Sequence, residues 1–245
     1  MEVSKKVVFI KDWILNYVNS MPVKAQSLVI GISGGIDSSV TSTLCAMTGL
    51  KTIVLTMPIK QNKEQNDLSL LHNKWLNDKF DNIESHSLEL DNVFKNFENT
   101  LAGFKNEHGM ANSRARLRMT TLYQVAAANR GIVVGTGNKV EDFGVGFYTK
   151  YGDGGVDISP IADCNKSEVW ELGKELNILK EIIEADPTDG LWDDGRTDEG
   201  QLGLSYKELE EAMNNESSIN REKYLRIRKE NLHKMEAITV CKIPK

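Results

Sequence analysis

Apolar side chains near the start of the chain recur at helical intervals. Val7, Ile10, Ile14 and Val18 fall on one face and predict an amphipathic helix over residues 4–18. The next apolar block, built on Leu28, Val29 and Ile30, is unbroken rather than periodic. That pattern fits a parallel strand buried on both faces, here over 27–33. A helix over 38–47 follows, with Gly49 placed for the left-handed position just past its end. A second strand is expected over 52–57 and closed by Pro58. The alternation continues with a helix over 66–80, a strand over 83–90, a short helix over 91–97, a long helix over 112–129 and a strand over 131–135. Strands alternating with helices predict an α/β fold, a doubly wound parallel sheet flanked by helices.

Beyond residue 135 the pattern loosens. Residues 136–160 are rich in glycine and nearly aperiodic, which predicts a long ordered loop over the carboxyl ends of the strands, where open α/β sheets bind ligands. Asn165 with Glu168, and Ser205 with Glu208, have the spacing of capping boxes and predict helices to about 176 and 213. Between them, residues 186–203 are dense in Asp and Gly and predict a mobile lid. A charged helix is expected over 218–234. No internal repeat divides the chain, so residues 1–245 are expected to form a single domain.

Composition narrows the function. The formal net charge is −5, against the basic balance that phosphate neutralisation requires of nucleic-acid binders. Only a local cluster, Arg114, Arg116 and Arg118, runs the other way. The three cysteines, Cys45, Cys164 and Cys241, are far apart, with no CxxC spacing for zinc or an iron–sulfur cluster. No segment approaches the ~20 apolar residues of a membrane span, and the N-terminus lacks a signal-peptide core. A cytoplasmic protein is expected.

The densest chemistry lies in Gly31-Ile32-Ser33-Gly34-Gly35-Ile36-Asp37-Ser38-Ser39, between the first strand and its helix. Glycines admit close backbone approach to a phosphate, and a helix N-terminus adds free N–H donors and partial positive charge. Asp37 would repel phosphate unless a magnesium ion bridges the two. No Gly-Lys-Ser/Thr follows, so this is not a Walker A loop. The segment resembles the pyrophosphate loop of the N-type ATP pyrophosphatases, which implies an adenine nucleotide alpha hydrolase-like fold and cleavage of ATP to AMP and pyrophosphate. Downstream, Gly135 to Glu141, Gly146 to Asp157, Asn165-Lys166, the arginines flanking Leu117, and His233-Lys234 are similar to the signature of the NAD synthetase family. The resemblance runs from Gly31 to Lys234. It departs from the family pattern in one extra residue between Glu141 and Lys150, in Met235-Glu236 after the His-Lys pair, and in Arg196, which has no counterpart.

That resemblance implies roles. ATP would be bound by Gly31, Ile32, Ser33, Gly34, Gly35, Ile36, Asp37 and Ser38 of the loop, with Thr136, Lys166 and Thr188. Asp37 and Glu141 would hold Mg²⁺. Arg116, Lys150, Asp157, His233 and Lys234 would bind deamido-NAD. Lys166 would stabilise charge during adenylation, and Asp153 would position ammonia or accept its proton. The implied reaction is ATP-dependent amidation of deamido-NAD through an adenylated carboxylate. It implies a homodimer with the substrate site near the interface, the helix over 112–129 being a candidate contact. Only thirty residues precede Gly31, too few for a glutaminase domain, so free ammonia or a separate amidotransferase is the expected nitrogen source. Two alternatives stand beside this reading. A tRNA-modifying relative would need sulfur chemistry and a basic surface, and a non-enzymatic nucleotide-binding module would not need two magnesium carboxylates.

Overall fold

A computed structural model describes residues 1–60, 63–188 and 197–244. Its centre is a parallel sheet of β1 (Ser27–Gly31), β2 (Thr52–Thr56), β3 (Ile83–Ser87) and β4 (Gly131–Val133), in the order β3-β2-β1-β4. Leu28 pairs with Thr52 on one side of β1 and with Ile132 on the other. The helices, in chain order, are α1 (Val3–Ser20), α2 (Ile36–Met47), α3 (Lys63–Lys79), α4 (Asp91–Thr100), α5 (Glu107–Ala128), α6 (Lys166–Glu175), α7 (Lys180–Ile183), α8 (Asp198–Leu202), α9 (Tyr206–Asn214) and α10 (Arg221–Met235).

Strand periodicity explains the two sides of the core. Leu28 and Ile30 point to one face and pack with α1, α2 and α6, whereas Val29 points to the other and packs with Phe94 of α4 and Ala126 of α5. With both faces covered, the central strands have no polar side to show, hence their unbroken apolar run. The edge strand β3 is half-buried to exposed and carries Glu84 and His86, a polar edge that discourages pairing with another chain. On α1, Val7, Ile10, Ile14 and Val18 are buried, as their spacing requires. Lys6 ties the same helix to Glu168 of α6.

Several boundaries move, β3 for example ending at Ser87 rather than at 90. Asn106 accepts a hydrogen bond from the Gly109 N–H (2.8 Å), so α5 starts at Glu107 rather than at 112. Within the expected loop 136–160, Lys139–Val145 forms a π-helical turn. A π turn closes i→i+5, one residue more than an α turn, so it packs more chain into the turn than an α turn would. Its carbonyls are satisfied from α10: Arg228 donates to Gly144 O (2.6 Å) and Asn231 to Val145 O (3.1 Å). A third apolar cluster, including Val140, Val145, Leu202, Tyr206 and Leu209, packs this turn against the C-terminal helices.

Only the two ends of the expected lid, 186–188 and 197–203, fall among the described residues. Thr197 caps α8, and both Asp198 and Leu202 are buried. Residues 189–196, including Arg196, lie outside the described residues. Among the described residues no helix is long and apolar enough to cross a membrane.

Candidate active site

The chain leaves β1 in one direction to reach β2, and the strand on the other side of β1 is β4. A crevice must open where the connections diverge, between the carboxyl ends of β1 and β4. The loops that border it are 31–37 and 134–137, and they line a cavity of about 280 Å³. Gly34 sits at φ +91°, and a Cβ there would lie 2.6 Å from Gln65 O of α3, so the loop can press on α3 only as glycine. Ser38 Oγ accepts from Ser33 N (3.2 Å), Ser38 donates to Gly35 O (3.0 Å), and Ser33 Oγ accepts from Gly35 N (3.2 Å). The two hydroxyls thus brace the loop's shape. Gly35 caps α2 without a side-chain acceptor, which leaves the helix N-terminus available to an anion.

Six side chains converge at this loop. Lys166, the first residue of α6 and only 2% exposed, donates to Asp37 Oδ2 at 2.5 Å and to Glu141 Oε1 at 2.8 Å. Tyr206, the first residue of α9, places its hydroxyl 2.6 Å from the same Glu141 oxygen and 3.0 Å from Asp198 Oδ2. Its ring lies 4.9 Å from the Lys166 ammonium. Asn138 completes the frame: its amide donates to Asp37 Oδ1 (3.2 Å), while its carbonyl oxygen accepts from the N–H groups of Val140 and Glu141, capping the π turn.

The electrostatics follow from burial and pairing. Burial opposes the Lys166 charge, but Asp37 and Glu141 outweigh it and hold the ammonium above the ordinary lysine value. Burial also pushes both carboxyls upward. For Glu141 the attraction of Lys166 and the Tyr206 hydroxyl prevail, and its pKa falls. For Asp37, burial and the nearby Glu141 charge prevail over Lys166. Burial in the cavity wall, with the Asp153 charge added, lifts Asp142 well above the usual carboxylate range. Gly137 lets the Asp142 carboxylate lie close against it, and a Cβ there would force that carboxylate to shift.

All but one of the residues expected at the site fall into two groups, Asp157 being the exception. Gly31, Ile32, Ser33, Gly34, Gly35, Ile36, Asp37, Ser38, Thr136, Glu141, Asp153, Lys166 and Thr188 all line the cavity. Arg116, Lys150, His233 and Lys234 are not among its lining residues and form a second cluster beside it. Arg116 donates to Lys150 O (3.3 Å), Lys150 to His233 O (3.0 Å) and Lys234 to Tyr148 O (2.8 Å). Asp153, whose charge acts on Lys234, lies between the groups. Asp157 engages both oxygens in the fold itself, accepting from Tyr123 Oη (3.0 Å) and from Val133 N (2.7 Å). Sequence reasoning missed Asn138, Asp142, Tyr206 and Asp198, and it preferred Arg116 to Arg118. Arg118 lines the cavity and donates to Met57 O at 3.0 Å. Two positions apart on a helix, the arginines point about 160° apart, to nearly opposite sides, so only one can face the cavity.

This sheet order, with a phosphate-type loop at the switch point and an acid pair beneath it, defines an adenine nucleotide alpha hydrolase-like α/β protein. The NAD synthase family model matches residues 6–243, and the chain belongs to the NAD synthase family, whose enzymes are ligases. The ammonia-dependent NAD synthetase of Alkaliphilus oremlandii is 38% identical over 217 residues, covering 86% of this chain and 85% of that protein. Among solved structures, an NMN synthetase from Francisella tularensis superposes with a TM-score of 0.91 at 30% identity, covering 99% of this chain and 100% of that one. The ammonia-dependent NAD synthetase of Campylobacter jejuni gives 0.79 at 26% identity with the same coverage.

Proposed function

We propose that the cavity binds ATP with its triphosphate over the Gly31–Ser38 loop, and that the protein uses it to amidate deamido-NAD with ammonia. The observation that carries this reading is the meeting of Asp37, Glu141 and Lys166 under a helix N-terminus. A nicotinate carboxylate oxygen attacks the α-phosphorus, the bond from that phosphorus to the bridging oxygen breaks, and pyrophosphate leaves. Loop N–H groups and Lys166 stabilise the charge that develops on the phosphates. Ammonia nitrogen then attacks the acyl carbon of the adenylate, AMP departs with its oxygen, and Asp153 accepts a proton from nitrogen. Thr136 and Thr188 contact ATP from the cavity wall. The cationic cluster of Arg116, Lys150, His233 and Lys234 receives the dinucleotide, and Asp157 orders the adjoining backbone.

The donor set fits a magnesium ion carried by the nucleotide. No group of three His, Cys, Asp or Glu side chains among the described residues would hold a metal alone, whereas Asp37 and Glu141 supply two hard oxygens and a triphosphate supplies the rest. Bound there, magnesium would neutralise charge on the phosphates as pyrophosphate departs.

A second reading has its own support. The superposition on the Francisella NMN synthetase is closer than that on the Campylobacter NAD synthetase, at equal coverage. The same two steps on nicotinate mononucleotide would yield nicotinamide mononucleotide. Purified protein given ATP, Mg²⁺, ammonium and either acid decides between them. Pyrophosphate and NAD formed in preference from deamido-NAD support the first reading, faster turnover of the mononucleotide supports the second, and pyrophosphate with neither acid sinks both.

A further inference from the structure

We propose that Lys166 is the built-in counter-cation of the Asp37–Glu141 pair, and that a divalent cation takes its place only when a nucleotide triphosphate draws the lysine away. The inference rests on the reading of the cavity as an ATP site. The Lys166 ammonium touches one oxygen of each acid, at 2.5 and 2.8 Å, and so spans the gap that a cation shared by both carboxylates must enter. A divalent ion and an ammonium in that gap would stand a few ångströms apart, and their repulsion forbids joint occupancy. Nor can Lys166 leave on its own. It is 2% exposed, and a buried ammonium stripped of its carboxylates has no water to turn to.

A triphosphate over the loop changes both terms at once. It offers the ammonium a new anionic partner and brings oxygens that complete the shell of a metal ion. The move needs no backbone shift, since a lysine can swing its head on a flexible four-carbon stem. The acids are also prepared to stay behind. Asp37 keeps its bond from the Asn138 amide, and Glu141 keeps the Tyr206 hydroxyl. Each carboxylate has a second, neutral donor that survives the exchange. Metal and nucleotide therefore bind as one unit, and a bare divalent ion is turned away.

Two measurements test this without turnover. Mn²⁺ alone, followed by electron paramagnetic resonance, should bind the wild type weakly and Lys166→Met at least about tenfold more tightly, because the acids lose their resident cation. Equal affinities would overturn the proposal. Should Lys166→Met fail to fold, the wild type labelled with ¹⁵N at lysine Nζ gives the answer by NMR, with Lys166→Arg used for assignment. The Lys166 ammonium signal should move with Mg²⁺ plus a non-hydrolysable ATP analogue and stay in place with Mg²⁺ alone. A shift with Mg²⁺ alone, or an unmoved signal while loop amides report bound analogue, overturns the exchange but leaves the ATP site standing. No binding of the analogue at all removes both.

Discussion

At the scale of single residues, the proposed reaction separates groups that would do chemistry from groups that would hold them. Asp153 and Tyr206 illustrate the difference. Asp153 accepts from Thr149 N at 3.0 Å, and an asparagine carbonyl oxygen can accept the same bond. Asp153→Asn therefore keeps the turn and removes the charge. It should leave pyrophosphate release near normal and slow amide formation by about 10²–10⁴-fold, the usual span of a general base. Rapid-quench separation of the two half-reactions checks this, and equal loss in both would assign Asp153 to the shape of the site. Tyr206 is a positioning residue. Tyr206→Phe deletes the hydroxyl that bridges Glu141 and Asp198 while keeping the ring beneath Lys166. A buried hydrogen bond to a charged group contributes about 1.5–3 kcal/mol, so the melting temperature should fall. The Mg²⁺ concentration for half-maximal activity should rise as well, and a variant that melts early with an unchanged Mg²⁺ requirement would make Tyr206 a packing residue only. Tyr206 could not be singled out in the sequence, since it meets Glu141 across 65 residues and its local role is to follow a cap.

At the scale of elements, α3 shows how the glycine loop is supported. Its His72 is fully buried, stacks on Trp75 and places Nε2 3.0 Å from Ser42 Oγ of α2. The same helix meets Gly34 through Gln65 and Ser69. Burial lowers the His72 pKa from 6.5 to about 4. Above pH 6.5 the ring is neutral in both states, so the full stability is present. As the pH falls from 6.5 towards 4, the unfolded chain binds a proton that the folded protein refuses. Stability then declines by up to about 1.4 kcal/mol per pH unit, roughly 3 kcal/mol in all. Urea melts at pH 7.5 and 5.0 should show this loss in the wild type and a shallower one in His72→Gln. Parallel pH slopes for the two proteins would remove His72 as the cause. The sequence revealed α1, β1, β2 and the loop because each rests on a local signal: a helical period, an unbroken apolar run, or glycines between strand and helix. It did not reveal the π turn, whose hydrogen bonds come from Arg228 and Asn231, more than eighty residues away in α10. Nor did it show that residues 198–202 fold as α8, because one helical turn has too few residues for a period to be read.

At the scale of the whole molecule, α5 is left unfinished. It is 22 residues long, yet only Ala111, Arg114, Ala115 and Ala126 are buried. Arg116, Thr120, Gln124, Ala127 and Ala128 are exposed and form a stripe at helical spacing, uncharged apart from Arg116. Solvent-facing helices usually carry alternating charges, so this stripe suits a protein surface better than water. The family resemblance implies a homodimer with this helix as a contact, and a second copy would cover the stripe by two α5 helices meeting about a two-fold axis, in the self-complementary contact that such symmetry requires. Sedimentation at micromolar concentration should then give twice the chain mass of 27.4 kDa. Ala127→Glu sets two like charges near the axis and should shift the protein towards the monomer. Because Arg116 stands on the same stripe and donates to Lys150 O, the cationic cluster borders this contact. The glycine loop and the Lys166 frame lie on other elements. Loss of the dimer should therefore raise KM for the dinucleotide by about tenfold, the loss of one charged contact, and leave KM for ATP nearly unchanged. A wild type that sediments as a monomer, or an Ala127→Glu monomer with both KM values intact, would detach the α5 stripe from function.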